Sequence, residues 1–199
     1  MPNVPPPVVD LLTDLSRAIL ATDALIAGIG PDQWAAPTPC SEWTVRNVVN
    51  HLVGGNLAFT ALLHQQSPPQ RGADHLGPDP LRAYRQSATG LQTAFRAPGV
   101  FDRVYQAPIG PVPGPVMVHL RIGELLVHGW DLAHATSQHA ELPADLAENQ
   151  LAIWMAQLGD HPRDNTPIGP AQPAPDNAPT IDRLAAYFGR TITIARHQP

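Results

Sequence analysis

The sequence predicts an all-α protein, an up-down four-helix bundle with a small C-terminal extension. Three observations predict it. Apolar residues recur at helical spacing through four long segments, Pro and Gly gather between those segments, and strand signal is confined to Thr191-Ile192-Thr193-Ile194-Ala195. A chain of 199 residues with 43% hydrophobic content suits one domain, 1–199. Its bundle should cover about 8–138 and its extension about 139–199.

The first helix follows from Leu11, Leu12, Leu15, Ile19, Leu25, Ile26 and Ile29, and stops at Gly30-Pro31. The loop Pro37-Thr-Pro-Cys-Ser-Glu-Trp43 leads to Thr44, a good N-cap for a second helix from about Val45 to Gln65. A polar loop to Pro80 precedes a third helix over about Leu81 to Arg96. Pro108, Gly110, Pro111, Pro113 and Gly114 forbid a helix between Phe101 and Pro115, so that stretch should be a short extended excursion. The fourth helix starts near Pro115, where proline suits a first turn, and runs to about Thr136. Leu146–Leu158 and Thr180–Phe188 read as two further helices, the last stopped by Gly189.

Composition narrows the function. The formal net charge is -5 and all 12 basic residues are Arg, with no basic stripe to suggest nucleic acid or an anionic membrane. No apolar run approaches the roughly 20 residues of a membrane span. MPNVPPPVV lacks the features of a signal peptide. Cys40 is the single cysteine, which excludes an internal disulfide and fits a reducing compartment. The expected location is cytoplasmic.

The chemistry lies on the second and fourth helices. At about 100° per residue, Glu124 and His128 lie ~40° apart, and Asp131 falls ~20° to the other side of Glu124. Met117, Leu120 and Val127 share that face, so an acid and an imidazole sit among apolar side chains, where an unpaired charge is costly. His51 lies at the edge of the inward arc of the second helix, followed by Gly54 and Gly55, which leave space nearby. Two imidazoles and one carboxylate with an open position make the ligand count of a catalytic zinc site. Nickel, iron or manganese would suit the same set. The pattern alone leaves a blander reading open: a core histidine, and an i, i+4 Glu–His hydrogen-bonded pair.

Specific motifs go further. Pro37-Thr-Pro-Cys-Ser-Glu-Trp-Thr-Val-Arg46, Val48-Val-Asn-His-Leu-Val-Gly54, Gly123-Glu-Leu-Leu-Val-His-Gly-Trp-Asp-Leu-Ala133, Ala178-Pro-Thr-Ile-Asp-Arg-Leu184 and Phe188-Gly-Arg190 stand together in this chain. From Leu11 to Arg190 it resembles actinobacterial metal-binding proteins of the DinB-like superfamily, related to the N-terminal domain of mycothiol-dependent maleylpyruvate isomerase. The resemblance implies metal ligands at His51, Glu124 and His128, with Zn2+ the leading metal, and a thiol cosubstrate such as mycothiol. The isomerase carries an additional C-terminal domain, for which only the segment after Ala133 is available here, so isomerase activity itself is not carried over.

The leading expectation is a metal- and thiol-dependent transferase or isomerase acting on a small electrophile. The alternatives are a non-catalytic metal-dependent small-molecule-binding or resistance protein, and a metal-stabilised structural domain. Homodimerisation is compatible with a bundle of this size. Asp131 is expected to orient a ligand histidine, to act as a fourth ligand, or to pair with Arg46. Arg121 is a candidate for an anionic substrate, with an intrabundle ion pair as the plainer reading. Cys40, having no histidine adjacent in sequence, reads as inert. Trp43 reads as a helix-start staple and Trp130 as packing. The remaining histidines read as surface or core residues.

Overall fold

The computed structural model describes residues 8–107, 110–139, 141–158 and 169–192. Four long helices, α1 (Val8–Ala27), α2 (Val45–Leu63), α3 (Pro80–Phe95) and α4 (Gly114–Thr136), build the bundle. Round the bundle the packed neighbours are α1 with α4, α4 with α2, α2 with α3, and α3 with α1. Two connections, 28–44 and 96–113, therefore join helices on opposite sides of the bundle. The second holds the expected extended excursion, a hairpin of β1 (Val104–Ala107) and β2 (Gly110–Pro113) in antiparallel register.

The entry to α2 shows how local chemistry aims the site. Thr44 and Asn47 form a capping box, Thr44 Oγ1 accepting from Asn47 N and Asn47 Oδ1 accepting from Thr44 N. The next two orphan amides are also satisfied: Val45 N donates to Ala36 O and Arg46 N to Trp34 O. Strand-like pairing of Pro37 with Thr44, together with Thr38 N donating to Trp43 O, closes the loop between them. That loop is thereby folded back across the start of the helix.

The extension contributes α5 (Ala144–Leu158) and α6 (Thr180–Tyr187), both packed on α4. As a result α4 is buried nearly all round, from Met117 to Thr136, and not along a single stripe. Two adjacent α4 residues hold α6 and the turn after it: Trp130 Nε1 donates to Asp182 at 2.7 Å, and Asp131 accepts from Arg190. The stretch Thr191–Ala195, which carried the strand signal, falls mostly outside the described residues. Thr191 and Ile192 are in no strand. No helix among the described residues is long and apolar enough to cross a membrane.

Candidate metal centre

α2 and α4 bring His51 and His128 into edge-to-face contact, ring centroids 4.8 Å apart and planes at 69°. Trp43 completes an aromatic corner. Its indole lies 4.8 Å from the His51 ring and stacks on His128 at 5.8 Å and 22°. The folded-back loop delivers it there, so Trp43 is a wall of the site as well as a residue of the helix start. Its position next to the N-cap, eight residues before His51, was the signal that could have found it.

Burial, then the neighbouring His128, pushes the His51 pKa down from 6.5 to about 4. Its imidazole is therefore neutral at physiological pH. Glu124 is 36% exposed in its side chain and lies close enough to interact electrostatically with both imidazoles. Burial raises its pKa, but Arg121 and the two imidazoles outweigh that and hold the carboxyl below its ordinary range. The site thus offers a lone pair on a neutral imidazole beside an ionised carboxylate.

Arg121 is fully buried. Its Nε donates to Asn56 Oδ1 at 3.0 Å, Nη2 to Leu52 O at 2.7 Å, and Nη1 to Glu124 Oε2 at 2.6 Å. The structure thus shows the intrabundle ion pair. Gly55 makes room for this guanidinium rather than for His51, while Gly54 makes room for the His75 ring.

Asp131 is fully buried and accepts from His128 Nδ1 at 3.0 Å and from both Nε and Nη2 of Arg190. Burial raises its pKa, yet the hydrogen bonds from His128 and Arg190 bring it below the ordinary value. An ionised carboxylate only accepts, so Nδ1 of His128 is the protonated donor, and in the neutral ring the lone pair lies on Nε2. Arg46, the alternative partner for Asp131, pairs with Asp74 instead.

Cys40 differs from expectation in its surroundings: the loop sets its Sγ beside His128 and Asp131, so a histidine absent from its sequence neighbourhood is present in space. Among the described residues, the donor atoms of Cys40, His128 and Asp131 lie within 4.8 Å of one another. His51, Glu124 and His128 are not gathered as tightly, Glu124 being drawn to Arg121. Asp131, however, already spends both oxygens on Arg190 and one on His128, which leaves it a poor ligand. Burial also pushes the Cys40 thiol up, Arg190 opposing that only in part. Of the other histidines, His134 packs on Trp130 and His119 meets Gln150, both away from this corner. His161 and His197 lie outside the described residues.

A helical bundle with a histidine-rich corner between its second and fourth helices defines a class, and the comparisons specify it. Residues 15–133 match the mycothiol maleylpyruvate isomerase N-terminal domain, and the chain belongs to that family. Two relatives from Mycobacterium tuberculosis are the uncharacterized proteins Rv0738 (strain ATCC 25618 / H37Rv) and MT0763 (strain CDC 1551 / Oshkosh). Each is 39% identical over 186 residues, 92% of this chain and 99% of the relative. The crystal structure of the mycothiol-dependent maleylpyruvate isomerase, and that of a histidine-to-alanine mutant of it, superpose with a TM-score of 0.62 at 16% identity. They cover 76% of this chain and 72% of theirs, and establish the DinB-like fold.

Proposed function

We propose that the protein binds a divalent metal, zinc first, through His51, Glu124 and His128, and uses a low-molecular-weight thiol of the mycothiol type to transform a small electrophile. The observation that carries this reading is the meeting of His51 and His128 beside an ionised, partly exposed Glu124. A cation requires deprotonated ligands, and His51 is neutral and Glu124 ionised without it. The three protein donors would leave a coordination position open. Family membership supports the thiol.

A bound cation would supply charge that stabilises a thiol as thiolate. The chain's own residues do the rest. Asp131 holds the His128 ring with Nε2 free, Arg121 keeps Glu124 ionised, and Trp43 shields one side of the imidazole pair from water.

Metal analysis of the purified protein beside His51→Ala and Glu124→Ala tests the site. Stoichiometric metal in the parent and its loss in both variants are expected; retention by both would sink the assignment. Titration of the loaded protein with mycothiol, then assay across a panel of electrophiles, separates an enzyme from a non-catalytic binding protein, because only an enzyme turns over.

A further inference from the structure

The family match ends at residue 133, yet one contact to the centre arrives from far beyond it. Arg190 Nη2 donates to Asp131 Oδ2 at 2.7 Å and Nε to Oδ1 at 3.1 Å, across 59 residues of sequence. Nη1 donates to Phe188 O at 2.9 Å, so every nitrogen of the guanidinium has a partner. Arg190 is itself held in a set direction. α6 ends in a Schellman turn: Gly189 N donates to Ala186 O and Arg190 N to Ala185 O, with Gly189 at φ +91°. Glycine is needed there twice over, because a Cβ would also lie 3.0 Å from Gly169 Cα.

We infer that Arg190 is a positioning residue for the metal centre, locking Asp131 so that His128 keeps its proton on Nδ1 and presents Nε2. A lone carboxylate in this buried place could rotate about its Cβ–Cγ bond and seek other donors. The planar fork of Arg190 occupies both oxygens and removes that freedom, leaving Oδ2 directed at His128 Nδ1. Partners of this kind tune metal affinity through ring orientation and tautomer. The extension is thereby part of the site. The motif Trp130-Asp131 on α4 and the tail residues Asp182 and Arg190 are two halves of one contact. The inference rests on His128 being a ligand, but its tautomer can be read without metal.

The test is long-range 1H–15N spectroscopy of histidine-labelled, metal-free full chain, with zinc affinity by chelator competition on the same samples. The parent should show His128 in a single Nδ1–H form. In Arg190→Gln the ring should average between tautomers and zinc affinity should fall about 10- to 100-fold. Arg190→Lys keeps the charge but cannot span both oxygens, and guards against loss of fold; a smaller change in the same direction is expected. Asp182→Ala, which removes the acceptor for Trp130 Nε1, should lower stability and leave the tautomer unchanged. An unaltered His128 tautomer in folded Arg190→Gln and Arg190→Lys overturns the inference. A tautomer that depends on Arg190 in a parent that binds no zinc upholds the positioning role and removes the metal reading.

Discussion

A Cβ placed on Gly55 would lie 2.5 Å from Nη1 of Arg121, so the buried guanidinium occupies the space where this helix has no side chain. The same Nη1 holds Glu124. One glycine on α2 thus decides where the carboxylate of α4 is held.

Gly55→Ala should therefore be destabilising, although alanine is the better helix former by about 1 kcal/mol. Displacing Arg121 strains its buried hydrogen bonds, at a net cost of about 2 kcal/mol. Gly90 in α3 has nothing within 4 Å of a Cβ, so Gly90→Ala should stabilise by about 0.5–1 kcal/mol. Urea denaturation of both variants checks the pair; equal effects would show that the guanidinium relocates freely.

Stability of the metal-free protein should fall in mild acid. His51 has its folded pKa depressed to about 4 from 6.5. Above pH 6.5 both states are neutral and no penalty applies. Between 6.5 and 4 the unfolded chain takes up a proton that the folded chain refuses, a loss approaching about 3 kcal/mol by pH 4. Urea titrations at pH 7, 5.5 and 4.5 should show a shallower acid slope in His51→Gln than in the parent.

Trp43 should report the metal. Its indole touches both imidazoles, so Co2+ or Ni2+ bound between them should quench part of the tryptophan emission. Trp43→Phe should remove the quenching while Trp34, Trp130 and Trp154 remain. Full quenching in that variant would place the ion elsewhere.

Cys40 should be slow to alkylate. Its thiol is half-buried and its pKa raised by burial. At pH 7.4 iodoacetamide should modify the folded protein at least about 10-fold more slowly than the urea-unfolded chain, because less thiolate is present and less of it is reachable. Equal rates, followed by mass spectrometry, would show a freely accessible thiolate.

Legibility in the sequence followed the range of each interaction. The helices were readable because their signals are local: apolar spacing in α1 to α4, Thr44 as a cap, Pro115 in a first turn, and Gly189 after the last helix. The amphipathic argument for α4 served less well. With α5 and α6 on its outer side, that helix has no wet face to contrast with the face carrying Glu124 and His128.

By itself, then, the sequence determined to within a turn where the helices begin and end, and that Glu124, His128 and Asp131 share one face of α4. These follow from backbone periodicity and capping, which act within a few residues. Only the tertiary structure decided that Trp43 walls the imidazole pair, that Cys40 has a histidine beside it, that Arg121 belongs to Asn56 and Leu52, and that Arg190 rather than Arg46 holds Asp131. Each depends on chain segments brought together by packing. A buried charge takes whichever partner the fold delivers, and distance along the chain does not say which one that is.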